Sequence, residues 1–289
     1  MASSLPSPSQ TGLLQALFDD FPLGIIVADG QGRILRSNPN AEALLGLPDE
    51  VQRGRGVAGP EWDVVRLDGS PMPAEEYASV RAIKEGRPVR DVEMGVARPD
   101  GTRCWLNVCA APVEGGCVAI TFEDIGPRVR GTAVMQAHAR LVEGADALGL
   151  EALLRATLDE LEGLTGSCIG FFHFVLEDQE TLHLQAWSTR TEAEFCQAEG
   201  KGAHYPVGQA GIWADAVREK RPVIHNDYAS AQGKRGLPKG HAEIRRELVV
   251  PVLRNGRVRA VLGVGNKPTP YDEGDVASVQ RLADLVWEL

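Results

Sequence analysis

Residues His204 to Glu273 read HYPVGQAGIWADAVREKRPVIHNDYASAQGKRGLPKGHAEIRRELVVPVLRNGRVRAVLGVGNKPTPYDE. The first part of this stretch is polar, aromatic and broken by glycine and proline, and it contains three of the six histidines of the chain. Two strand-like runs follow at 247–253 and 258–264, joined by a turn that contains Asn-Gly. Because Asn-Gly between two apolar runs is typical of a hairpin, this stretch predicts a polar loop mounted on an antiparallel sheet. Such loops often bind small molecules.

The segments around this stretch predict further helices and strands. An amphipathic helix is predicted at 150–164, and a helix with an acidic start at 272–289. Between the first of these helices and the hairpin, strands are predicted at 168–176, 181–188 and 221–225, and a short helix at 211–218.

This order and the motifs IGFFHFV, LQAWS, AGIWAD, PVIHNDY, GLPKGH, VVPV and GVGNKPTPYDE resemble a GAF domain. They are similar to the GAF subgroup that follows PAS domains in bacterial sensor kinases and related signalling proteins. The resemblance covers about residues 146–289. It implies a twisted antiparallel sheet with helices on one face and a ligand pocket on the other.

The N-terminal half predicts β-β-α, a variable middle, a helix and three strands. The strands are predicted at 24–28, 33–37, 89–98, 103–113 and 116–124, with glycine-containing turns between them. The order and the pieces GIIVADGQGRILRSNPNAEALLG, RPDGTRCWLNVCAAPV and GCVAITFEDI resemble a PAS domain over about residues 13–126. Many PAS domains end in Asp-Ile-Thr, which couples the last strand to the outgoing helix. Here Asp124 matches that aspartate, whereas glycine replaces the threonine.

Length and composition bound the function. A chain of 289 residues with 43% apolar and 24% charged residues predicts about two soluble domains, of the α+β class with a central antiparallel sheet flanked by helices in each. The net charge of −10 argues against nucleic acid as a partner. No apolar run is long enough for a membrane span, and no secretory signal precedes residue 13. Five scattered cysteines predict reduced thiols in a cytoplasmic protein.

The predicted domain organisation has four parts. They are a disordered tail at 1–12, a PAS-like domain at 13–126, a helical linker at 127–149 and a GAF-like domain at 150–289. The apolar positions of the linker recur at helical spacing: Val129, Ala133, Val134, Ala137, Leu141 and Ala145. Two interpretations remain open. The stripe is either a signalling rod and dimer seam, or the face by which the helix packs on its own domain.

Candidate ligand-binding residues in the GAF-like half are aromatic, hydrogen-bonding or cationic. They are Trp187, Cys196, His204, Trp213, His225, Asn226, Asp227, Tyr228, His241 and Arg245. Each has a plainer alternative: the tryptophans as core, Asn226 and Asp227 as caps of loop amides, and the arginine as an ion-pair partner. The spacing of the histidines and Cys196 matches no metal motif, so no metal is expected. The Asn266-Lys267 stretch predicts a Lys267–acid clasp beside the last helix.

In the PAS-like half, Asn38, Trp105 and Asn107 are candidates to face a cavity, and Asp124 is the candidate for signal coupling. Cys104 and Cys109 lie five residues apart on one strand and are expected to face opposite sides. The box of residues typical of photoreactive flavin domains is missing, which argues against a light-driven flavin adduct.

The sequence therefore predicts a PAS–GAF sensory fragment without catalysis of its own, part of a two-component system. An unidentified small molecule is the expected ligand, and the expected partners are a second copy of the chain and an output domain such as a histidine kinase or a cyclase. Two alternatives stay open. One is a dimerisation scaffold with empty pockets. The other is a GAF-type free methionine sulfoxide reductase, for which the only cysteines in this half are Cys168 and Cys196.

Overall fold

The computed structural model describes residues 10–145, 147–195, 204–233 and 243–289. The chain divides into two compact units, Met1–Val129 and Arg130–Leu289. In the described residues each unit has a six-stranded antiparallel sheet with helices packed against it. The predicted α+β class with two sheet domains is therefore confirmed.

The first unit has the strand order β2-β1-β6-β5-β4-β3. Its elements are α1 (Gln10–Asp19), β1 (Gly24–Asp29), β2 (Ile34–Ser37), α2 (Pro39–Leu45), α3 (Asp49–Arg53), β3 (Val64–Val65), α4 (Ala78–Glu85), β4 (Val89–Ala97), β5 (Arg103–Val113) and β6 (Cys117–Asp124). Helix α1 begins inside the predicted tail, and α3 lies in the part of the chain predicted only as a variable middle.

Strand β5 shows how the sequence builds the core of this unit. Cys104, Leu106 and Val108 are buried, whereas the residues between them are half-buried on the opposite face. This is the alternation of a strand with one face on a core. Helix α4 packs across β4, β5 and β6 on the buried face. Cys104 is buried and Cys109 half-buried, which confirms that the two thiols face opposite sides.

Helix α5 (Gly126–Ala145) begins two residues after β6 and crosses the boundary between the units. At its start the Asp124 carboxylate accepts a hydrogen bond from the Gly126 amide at 2.7 Å, as a capping residue does. Further along, Val134, Ala137 and Leu141 are buried in the core of the second unit. At these three positions the linker helix therefore packs on its own chain.

The second unit has the strand order β10-β11-β12-β7-β8-β9. Its further elements are α6 (Leu150–Thr165), β7 (Ile169–Val175), β8 (Thr181–Trp187), β9 (His204–Pro206), α7 (Asp215–Glu219), β10 (Val223–His225), β11 (Glu247–Arg254), β12 (Arg257–Gly265) and α8 (Glu273–Val286). The β11–β12 turn has φ of +52° at Asn255 and +72° at Gly256. Positive φ at both central residues is the geometry that the Asn-Gly pair predicts.

The two faces of this second sheet have different neighbours. On one face the core includes Leu248 and Val250 of β11 and is covered by α5, α6 and α8. On the other face Val249 packs beneath the segment 207–217, which includes the start of α7. This described part of the polar loop thus lies over the face opposite the long helices. None of the helices in the described ranges has the length and apolarity needed to cross a bilayer.

Candidate functional site

The candidate site lies on the sheet face of the second unit that α6 and α8 do not cover. Alternation along β7 directs Phe171 and His173 to this face and Phe172 to the helix side. The Trp213 ring contacts both: its centroid is 5.5 Å from that of Phe171 and 4.7 Å from that of His173. These three rings form an aromatic wall, contributed by β7 and by the loop before α7.

His173 is a neutral group within this wall. Burial, with a further contribution from the charge of His183, lowers the pKa of His173 to about 3. Burial removes the water that would stabilise the protonated imidazole, so the neutral form is favoured. At physiological pH this side chain therefore presents a polar ring without charge.

A histidine–glutamate pair lies at the end of β10. His225 and Glu247 are directly opposite each other in the β10–β11 register, and His225 Nδ1 is 2.9 Å from Glu247 Oε1. The glutamate is only 4% exposed. Its hydrogen bond, and then its negative charge, raise the pKa of His225 above the ordinary value, although burial alone acts in the opposite direction. The pair provides a buried carboxylate beside an ionisable imidazole.

Tyr228 adds a hydroxyl to this region. Its side chain is 6% exposed, and burial together with the charge of Glu247 raises the pKa of Tyr228 to about 12. The hydroxyl keeps its proton at physiological pH and can act as a hydrogen-bond donor. It lies beside Gly211, where an added Cβ would come within 3.8 Å of the oxygen.

Three other predicted residues hold loops together. The Asn226 side chain makes two hydrogen bonds with the backbone of Tyr271, donating to its carbonyl at 2.9 Å and accepting from its amide at 2.7 Å. Exposed Asp227 accepts from the Ser230 amide at 3.2 Å. Exposed Arg245 donates its backbone amide to the Asn266 side chain. The loop-capping alternative describes what Asn226 does here, and a ligand contact by these three residues stays a prediction.

The remaining GAF candidates are only partly described. Half-buried Trp187 ends β8 opposite Phe171 in the strand register. His204 belongs to β9 by its backbone, and its side chain lies outside the described residues, as do Cys196 and His241. Within the described ranges, no group of three His, Cys, Asp or Glu side chains is placed to hold a metal ion.

The clasp beside the last helix is confirmed. Lys267 Nζ donates to Asp275 Oδ2 at 2.6 Å, and both side chains are largely buried. Asp275 and Asp272 also form a capping box at the start of α8. The lysine and this carboxylate are therefore already engaged with each other at the helix terminus.

The PAS candidates lie away from the core cavity of the first unit. Fully buried Asn38 caps α2 and makes four hydrogen bonds with the backbone, at Ile25, Ala41, Phe18 and Leu23. The cavity is lined from β5 by Leu106 and Val108. Trp105 and Asn107 belong to the opposite face of that strand. None of the three predicted residues lines this cavity.

Three residues of the candidate site were missed by the sequence interpretation: Phe171, His173 and Glu247. The first two lie in the apolar run IGFFHFV, which reads as core, and only the alternation of β7 separates its two faces. Glu247 is a charged residue at the first position of a buried strand. A buried strand that begins with a charge was the signal available in the sequence.

Comparison with known proteins finds one family model in each of the two units of the chain. A PAS fold model matches residues 18–130, and a GAF domain model matches residues 147–289. The methyl sulfide methyltransferase-associated sensor of Methanosarcina acetivorans is 34% identical over 235 residues, which are 75% of this chain and 23% of that protein. The chain thus spans about a quarter of the length of this curated relative.

Several solved structures have a similar fold. The GAF domain of a phosphoenolpyruvate-protein phosphotransferase from Coxiella burnetii has a TM-score of 0.46 and 15% identity, over 54% of this chain and 92% of that one. Free methionine-R-sulfoxide reductase from Neisseria meningitidis has a TM-score of 0.44 and 20% identity, over 56% and 88%. The chromophore-binding domain of a bacteriophytochrome from R. palustris has a TM-score of 0.41 and 13% identity, over 93% of each chain. At these values none of the three bears on function.

The first sheet with its helices coincides with the PAS match, and the second sheet, with the aromatic wall and the His225–Glu247 pair, coincides with the GAF match. The chain is a tandem PAS–GAF region.

Proposed function

We propose that this PAS–GAF region is a sensory module that binds a small molecule at the GAF sheet face lined by Phe171, His173, Trp213, Tyr228 and the His225–Glu247 pair. The observation that carries the proposal is this combination of an aromatic wall with a buried carboxylate, an imidazole and a protonated hydroxyl. Small-molecule sites typically have mostly apolar walls and a few oriented polar groups.

The proposed output is a change in the helices that pack on the other face of the same sheet. Buried strand residues of β11 and β12 contact the core shared by α5, α6 and α8. A ligand that prefers one packing of the sheet therefore biases these helices, and through them an output domain such as a histidine kinase. The relative named as a sensor supports this assignment. The module itself is proposed to have no catalytic activity.

The first test is native mass spectrometry with an absorption spectrum of the purified chain. A retained extra mass identifies the ligand directly; if none is retained, a thermal-shift screen of metabolites identifies compounds that raise the Tm. The decisive variant is Glu247→Gln, which keeps the shape of the side chain and removes its charge. We expect binding of the identified compound to weaken at least tenfold.

The matched control is Glu162→Gln. Glu162 is also a buried glutamate of the second unit, but it belongs to α6 and accepts a hydrogen bond from Ser188. We expect this variant to bind normally. Equal loss in both variants would show a general effect on folding, and unchanged binding in Glu247→Gln would refute the assigned face. A chain that retains and binds nothing would favour the scaffold alternative.

A further inference from the structure

Two short 3-10 turns make up most of the segment 207–214, which carries Trp213 and leads into α7. Each turn is closed by one backbone hydrogen bond: the Ala210 amide donates to the Val207 carbonyl at 3.1 Å, and the Ala214 amide donates to the Gly211 carbonyl at 3.2 Å. Turns of this kind have poorer hydrogen-bond geometry than α-helices and are short because of it. The position of Trp213 therefore depends on what else holds the segment 207–214.

Arg218, on α7, binds this segment at three backbone carbonyls. Its Nη2 donates to the Val207 and Ala210 carbonyls at 2.6 and 2.9 Å. Its Nη1 donates to the Gly211 carbonyl at 3.2 Å and also to the Asp215 carboxylate. The Val207 and Gly211 carbonyls are the acceptors of the two turns. One guanidinium thus holds both turns and the link between them.

These contacts depend on the forked shape of arginine. A guanidinium has five N–H donors in a rigid plane, whereas a lysine ammonium has three donors on a single nitrogen. In Arg218, Nη2 holds the first turn and Nη1 the second. The side chain is 34% exposed, so its replacement leaves no cavity in the hydrophobic core. A change at Arg218 should therefore loosen the segment 207–214 rather than unfold the unit.

We propose that Arg218 is a positioning residue of the GAF site, which acts by fixing the backbone around Trp213. Trp213 is the central residue of the second turn, and its ring contacts Phe171 and His173 at centroid distances of 5.5 and 4.7 Å. An aromatic wall that is ordered before binding spares the ligand the entropic cost of ordering it. This role rests on the proposed ligand site. The position of Trp213 is measurable without a ligand, so either proposal can fail without the other.

The test labels the full chain with 5-fluorotryptophan and records fluorine NMR spectra. The chain has five tryptophans, and the Trp213 signal is assigned by its loss in Trp213→Phe. We expect Arg218→Lys and Arg218→Ala to shift or broaden this signal, while the signals of Trp62 and Trp105 in the PAS unit stay unchanged.

Hydrogen exchange reads the same loosening at the backbone. The Ala210 and Ala214 amides should exchange at least tenfold faster in Arg218→Ala than in the parent, because their acceptor carbonyls lose the guanidinium. Arg218→Lys keeps the charge and loses the fork, so its exchange rates should lie closer to those of Arg218→Ala than to those of the parent.

The matched control is Arg221→Ala. The Arg221 guanidinium pairs with Glu219 and with the Pro222 carbonyl, so this variant should keep the parent's Trp213 signal and exchange rates. Added guanidinium ion at millimolar concentration should restore the Trp213 signal of Arg218→Ala, and ethylammonium should not. A Trp213 signal and exchange rates that stay at the parent values in Arg218→Lys would overturn the proposal. Equal restoration by ethylammonium would overturn it as well, since charge alone would then suffice.

Discussion

Asn226 offers the sharpest test of how the polar loop is built. Its side chain bridges 45 positions of sequence and pairs with both the amide and the carbonyl of Tyr271, at 2.7 and 2.9 Å. Replacing it by alanine removes both hydrogen bonds and leaves the two backbone groups to find other partners. The segment before α8 would then lose its connection to the end of β10.

The size of the effect follows from these two bonds. At about 1 kcal/mol each, Asn226→Ala should lower the free energy of unfolding of the second unit by about 2 kcal/mol. For a unit of this size that is a fall in Tm of about 4–8 °C. The local readout is amide hydrogen exchange at Tyr271, which should accelerate about thirtyfold if exchange follows local opening, since 1.4 kcal/mol is a factor of ten.

Nearby Ser230 provides the control. It is exposed and its hydroxyl donates to the Asp227 carbonyl at the longer distance of 3.2 Å, so Ser230→Ala should cost less than about 0.5 kcal/mol. The reasoning is refuted if Asn226→Ala leaves both the Tm and the Tyr271 exchange rate within the range of this control. Asn226 would then be available for the ligand contact that the sequence predicted.

Two further predictions concern buried titratable groups in the GAF unit. The folded chain keeps His173 neutral down to about pH 3, whereas the unfolded chain protonates it near pH 6.5, so stability present above pH 6.5 is lost as the pH falls through this window, by at most about 1.4 kcal/mol per pH unit. In urea unfolding, the free energy of unfolding of His173→Phe should therefore decrease less steeply with falling pH than that of the parent. An unchanged pH dependence would contradict the assignment. Lys267→Met leaves Asp275 largely buried without its cation and should lower the free energy of unfolding by roughly 3 kcal/mol. The double variant Lys267→Met/Asp275→Asn should recover part of this loss. A single variant as stable as the parent would show that the clasp contributes nothing to stability.

The alternation of polar and apolar residues made most strands of the two sheets predictable. The predicted bounds of β5, 103–113, are those of the structure, because polar and apolar residues alternate along that strand. The short strands β3 and β9 have two and three residues, too few to show a period, and their pairing is decided by tertiary contacts. The same alternation separates Trp105 and Asn107 from the residues that line the PAS cavity.

The residues of the candidate site that the sequence predicted are polar or aromatic side chains of the loop stretch. Trp213 was a candidate because of its bulky ring, and His225 and Tyr228 because polar side chains cluster at the end of a strand. Glu247 was missed because it meets His225 across 22 positions, a contact that the β10–β11 register creates.

The linker helix shows how packing selects between two interpretations of one pattern. Of the apolar stripe on α5, Val134, Ala137 and Leu141 are buried in the GAF core, and side chains buried within one chain cannot also form a seam with another without unpacking. Met135 and Val142 lie seven residues apart on the same helix and are each 44% exposed. The exposed large apolar side chains that α5 offers to a partner helix are therefore Met135 and Val142, while the buried stripe connects the GAF sheet to α5 within each chain.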